Sequence, residues 1–177
     1  MGYTTDFQGR FDLDRPLTEA QADYLALFAQ TRRMRRIPLL LTDAPDPRRL
    51  AVGLPLGEEG EYFTGGIGDH GQDEDEVDSS VLDYDEPPWT QPSLWCHWVP
   101  TQDRCAICWD GIEKFYCYDA WLHYLIRHFL KPWGYVLSGQ VAYQGQDMDD
   151  MGLLAVEYNQ VIGYDPLLGD GSEHAEG

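Results

Sequence analysis

The stretch from Leu94 to Gly145 constrains the fold more than any other part of the chain, because it holds all four cysteines, five of the six tryptophans and the clearest helical period. Leu94 to Val99 and Arg104 to Trp109 are rich in β-branched and aromatic residues and are separated by Pro100-Thr101-Gln102-Asp103, which predicts a β-hairpin. A helix is expected from Asp119, as the capping residue, to Lys131, with Pro132 and Gly134 as stop signals. At 100° per residue Trp121, Leu122, Leu125, Ile126 and Phe129 share one face, and His123, Arg127 and Lys131 share the opposite one. Burying the five apolar side chains is worth roughly 1.5–3 kcal/mol each, so this helix is the expected scaffold of the core. Tyr135 to Gly145 then alternates as a strand.

The flanking segments complete an α+β order. Residues 3–13 read as an opening strand ended by Pro16, and Thr18 with Gln21 forms a capping box for a helix through about Arg33, with Ala22, Leu25, Phe28 and Ala29 as its apolar stripe. Residues 37–92 carry many prolines and glycines and are too long for a plain connector, which predicts an irregular insertion anchored by Tyr62, Phe63 and Trp89. Leu153 to Tyr164 reads as a last strand, with a turn at Asn159-Gln160 that would make it a hairpin. The expectation is one α+β domain over residues 1–165, an antiparallel sheet with two helices packed on one face in a split βαβ-like order, and a frayed tail over 166–177.

Charge limits the partners. Thirty-one acids against twelve bases give a net charge of −19. Such a chain repels nucleic acid and anionic membranes and favours a basic partner. Six arginines, Arg32, Arg33, Arg35, Arg36, Arg48 and Arg49, lie within eighteen residues, as a solvated helix end favoured by the macrodipole or as a contact for an anion or a partner. Nine acids fall between Asp69 and Glu86, and with no apolar run of eighteen residues and no signal-peptide pattern the expected location is the cytoplasm.

Motifs for chemistry are weak by comparison. Cys96, Cys105, Cys108 and Cys117 contain a single CxxC inside an expected strand, where positions three apart face opposite sides, so buried thiols are preferred over a zinc site. Gly71 to Glu76 and Gly145 to Asp150 share a GQDxD pattern but lack the glycine and distal glutamate of a calcium loop. Asp110 and Glu113 form an acidic pair that a turn explains equally well. No catalytic residue and no cofactor is assigned.

Six segments together, MGYTTDF at the start, TRRM from Thr31, GEYFTGG from Gly60, LWCHWV from Leu94, WDGIEKFY from Trp109 and the run from Trp121 to Gly134, resemble a family of small acidic proteins of bacteria and their phages, most of them uncharacterised. The resemblance implies a phage or mobile-element context and supplies no catalytic residue. The expected function is that of a binding protein that inhibits a host CRISPR effector or restriction complex by imitating nucleic acid. Its partner-binding acids would be Asp73, Glu74, Asp75, Glu76, Asp78, Asp83, Asp85 and Glu86, with Asp147, Asp149 and Asp150 as a second patch. The alternatives are a metal-dependent enzyme or small-molecule binder with the glycine-rich insertion as its lid, using His70, His97 or Cys96, and an immunity protein against a basic toxin.

Overall fold

The computed structural model describes residues 2–65, 70–73 and 78–166. In chain order the elements are β1 (Thr5–Leu13), α1 (Glu19–Ala29), β2 (Arg35–Arg36), α2 (Pro38–Leu41), α3 (Pro47–Ala51), a 3-10 turn (Glu58–Gly60) and β3 (Val81–Asp83). They continue with β4 (Trp98–Pro100), β5 (Ala106–Trp109), α4 (Tyr118–Leu125) running into a π-helical turn (Ile126–Leu130), β6 (Leu137–Gly145), β7 (Met151–Glu157) and β8 (Gln160–Val161). The protein is α+β, as the sequence pattern predicts. The chain divides into two compact units, one made of residues 1–17 with 97–177 and the other of residues 18–96. No helix among the described residues is long and apolar enough to cross a membrane.

The first unit is an antiparallel sheet in the order β4-β5-β1-β6-β7-β8. Strand β1 is long enough to pair with β6 over its whole length, Thr5 opposite Gly145 through Leu13 opposite Leu137, and it takes β5 on its other side. Its inward residues Phe7 and Phe11 meet Trp98 edge-on at 5.3 and 5.5 Å, and Phe7 also meets Phe115 and Tyr118. The Trp98 indole N–H donates to the Tyr118 carbonyl at 2.8 Å, so a buried polar atom ties β4 to the start of α4. On that helix Trp121, Leu122, Leu125, Ile126 and Phe129 are all buried and Arg127 and Lys131 are exposed, as predicted, whereas His123, expected on the solvated face, is half-buried against the Tyr164 ring at 5.2 Å.

Boundaries differ from the sequence expectation in informative ways. The hairpin strands are shorter, pairing Trp98 with Trp109 and Pro100 with Ile107, because Thr101 and Asp103 turn the chain by hydrogen-bonding the amides of Ala106 and Cys105. Helix α4 is preceded by Cys117 in the left-handed region, φ 53°, without a side-chain cap, and Asp119 lies inside the first turn, where its charge still favours the helix N-terminus. The last strand is indeed a hairpin, β7 with β8, turning at Tyr158-Asn159, one residue before the expected turn.

In the second unit α1 carries the predicted capping box: the Gln21 amide donates to Thr18 Oγ1 at 3.2 Å and the Thr18 amide donates to Gln21 Oε1 at 3.1 Å. The helix ends at Ala29, with Gln30 as its C-cap, so the arginines are not a solvated helix end. Arg35 and Arg36 instead form β2, paired with β3 from the far side of the acidic stretch. Asp46 is buried and accepts from the Arg49 amide, the Thr64 amide and the Thr64 hydroxyl, which fixes α3 to the chain after the 3-10 turn.

Candidate functional site

Arg32, Arg33 and Arg36 of the arginine cluster tie described parts of the insertion together. Arg33 is buried and donates through Nη1 to Phe63 O at 2.7 Å, through Nη2 to Glu61 O at 3.0 Å and through Nε to Gln91 Oε1 at 3.1 Å, with its guanidinium over the Phe28 ring. Arg36, equally buried, donates to Ser80 Oγ at 3.0 Å and His70 O at 2.6 Å. Burial, reinforced by the neighbouring Arg33 charge, pulls the Arg36 pKa down to about 10. These hydrogen bonds all end on neutral oxygens. A planar guanidinium with five donors suits such a task, since it can join several loop carbonyls at once.

The contact of this cluster with Asp85 is weak by comparison. Arg32 donates to Tyr84 O at 2.9 Å and lies over the Tyr84 ring at 4.0 Å, whereas its approach to Asp85 is 3.4 Å and the Asp85 side chain is 83% exposed. An ion pair that open to solvent contributes about 0–1 kcal/mol. Arg35 stacks on Trp89 at 4.3 Å. Asp73, Asp83 and Glu86 are exposed, and Asp83 Oδ1 accepts the Asp85 amide at 3.0 Å.

Asp78 has a structural task as well. Its Oδ1 accepts from the Ser80 amide at 2.7 Å and the Ser80 hydroxyl at 2.6 Å, and its Oδ2 is 3.9 Å from His70 Nδ1. Burial works against its charge, but the Ser80 hydrogen bonds with Arg36 and His70 outweigh that and hold the carboxyl below the usual range. Glu74, Asp75 and Glu76 lie outside the described residues.

The second acidic patch sits on the turn between β6 and β7, in the first unit. Asp150 accepts from the Tyr3 hydroxyl at 2.5 Å, and the Tyr3 oxygen takes the Asp147 amide at 3.2 Å, so Tyr3 and Asp150 hold the turn in shape. The hydrogen bond to Asp150 is the main reason the Tyr3 hydroxyl titrates above its ordinary value. Asp147 and Asp149 are exposed.

The other candidates have structural tasks. None of the four cysteines is in a disulfide, Cys96 and Cys117 are buried, and burial with the nearby Asp110 charge pushes the Cys108 thiol up. Among the described residues no three His, Cys, Asp or Glu side chains gather as metal ligands. His97 Nδ1 pairs with Asp110 Oδ2 at 2.9 Å, with the imidazole edge against Phe115, while Asp110 Oδ1 accepts the Ile112 amide at 2.8 Å. Asp110 thus closes the turn after β5 and orients a buried imidazole; Glu113 is exposed.

One feature of this arrangement has no local sequence signal. The arginines find carbonyls 28 to 52 positions away along the chain, as in Arg33 with Glu61 and Arg32 with Tyr84, a pairing set by the tertiary fold alone. The outward side chains of β7, by contrast, are readable as an apolar run, MGLLAV, without polar alternation. Compared with protein-family models, curated proteins and solved structures, the chain matches none.

Proposed function

We propose that this protein is a non-catalytic acidic binding protein of a phage or mobile element, which acts in the bacterial cytoplasm by occupying the basic nucleic-acid groove of a host defence complex of the CRISPR or restriction type. The observation that carries the reading is the division of labour between charges: the buried Arg33 and Arg36 donate to neutral loop oxygens, and Asp73, Asp83, Asp85 and Glu86 remain exposed. Both units keep a strong negative charge, −10 for residues 18–96 with sixteen acids and six arginines, and −9 for the rest with fifteen acids and six bases. Duplex DNA carries one charge per about 1.7 Å of axis, and clustered carboxylates compete for the same lysines and arginines by releasing the same counterions.

The enzyme or small-molecule alternative draws less support, since the insertion that would serve as a lid is tied down by Arg33 and Arg36. An immunity role against a basic toxin shares the charge argument and differs in its partner. The test is competition: wild type and an Asp73→Lys/Asp83→Lys/Asp85→Lys variant are titrated against duplex DNA bound to a purified host effector. Wild type displaces DNA at low salt and the variant does so at least about tenfold less well. Equal displacement by both would refute the reading.

A further inference from the structure

The uncovered face of the sheet in the first unit is built unlike an ordinary solvated face. An antiparallel sheet packed on one side alternates apolar-in and polar-out. Strand β1 obeys this, presenting Asp6, Gln8, Arg10 and Asp12 outward. Strand β7 does not: its outward positions are Met151, Leu153, Ala155 and Glu157, and its inward ones are Gly152, Leu154 and Val156, so it is apolar on both sides over six residues. Met151 is 61% and Leu153 62% exposed.

Register aligns these residues into rows. Asp6, Gln144 and Met151 form one row, and Gln8, Ala142 and Leu153 the next. The short Ala142 side chain leaves a groove of about 470 Å³ between the longer neighbours. The electrostatics of the face are one-sided. Arg10 is the cation among the outward positions of β1, β6 and β7, and it is held by Asp12 at 3.1 Å and approached by Asp103 at 3.7 Å. Asp6, Glu157 and, on the adjoining turn, Asp147 and Asp149 stand exposed.

We infer that this groove on β1, β6 and β7 is the docking surface for a basic partner protein, which lays aliphatic side chains over Ala142, Met151 and Leu153 and lysines or arginines toward Asp6, Asp147 and Asp149. Charge complementarity selects that occupant. A second copy of this chain would bring another −19 to the same face. The inference deepens the proposed function and rests on its reading of a basic partner: it adds an apolar contact that carboxylates alone cannot supply.

The experiment uses the full chain and three short peptides, alternating Lys-Leu, Lys-Ser and Glu-Leu, followed by titration and by amide chemical shifts. The Lys-Leu peptide binds, its shifts concentrate on Ala142 to Gln144 and Met151 to Leu153, and salt weakens it. Leu153→Ser and, separately, Met151→Gln each reduce its affinity about tenfold, the loss expected for one exposed aliphatic contact. Both are surface substitutions, and an unchanged unfolding midpoint confirms the fold. Equal affinity of the Lys-Ser peptide, or of the two variants, overturns the inference and leaves the acidic reading standing. Equal binding of the Glu-Leu peptide overturns both. A concentration-dependent dimer of the free chain that Leu153→Ser abolishes shows that a second copy covers the face, and also overturns it.

Discussion

At the scale of single residues, Arg33 decides whether the acidic insertion is held. Its removal takes a buried donor from the Phe63 carbonyl and from the Gln91 amide oxygen, while the Glu61 carbonyl keeps only the Gln91 Nε2 donor at 2.8 Å beside the one it loses. Arg33→Met should therefore cost about 3–5 kcal/mol by denaturant unfolding, and Arg33→Lys most of that, since an ammonium cannot span three acceptors in a plane. A loss below about 1 kcal/mol would mean that the hydrogen bonds do not carry the insertion. His128 gives a second prediction. Burial, then the charges of Arg127 and His123, lowers its pKa to about 4, from an ordinary value of 6.5. The folded state therefore binds this proton less readily than the unfolded chain. The stability due to the neutral ring is complete above pH 6.5 and is lost as pH falls toward 4. His128→Phe should flatten the pH dependence of the unfolding midpoint in that window, and an unchanged slope would exclude His128 as its source.

At the scale of elements, what was legible in the sequence was what local geometry determines. The capping box at Thr18 and Gln21 closes within four residues, and the buried face of α4 follows from a period of 3.6, so both could be read before any tertiary contact was known. The end of α1 was not legible, because nothing in the run of arginines stops a helix; β2 forms there because β3 and the carbonyls of the insertion meet it. Part of the candidate site has a local role that the sequence hides for the same reason. Asp78 and Asp150 look like their neighbours in sequence, yet Ser80 and Tyr3 make them turn-forming residues. The β1–β6 pair supplies a prediction at this scale. Gly139 lies opposite Phe11 with φ at 152°, and a Cβ there would meet Arg10 O and Phe11 Cα at 3.0 Å each, both backbone atoms that cannot step aside cheaply. Gly139→Ala should destabilise the first unit by about 1–3 kcal/mol, read as a fall in the thermal midpoint. A midpoint at or above wild type would show that the strands can separate there without cost.

At the scale of the whole molecule, the interior takes up arginines without cancelling the net negative charge. Buried arginines hold the insertion through neutral oxygens, and the surface keeps −19. Its interactions should then weaken steeply with ionic strength, since screening reaches about 10 Å at 0.1 M salt. The measurement that tests this most directly is affinity capture from a host lysate at low and at high salt, with wild type and with an Asp73→Asn/Asp83→Asn/Asp85→Asn/Glu86→Gln variant as bait. The account predicts a basic nucleic-acid-handling protein retained by wild type at low salt, released by high salt or by added duplex DNA, and lost from the neutralised variant. A partner held equally by both baits, and indifferent to salt and DNA, would contradict it.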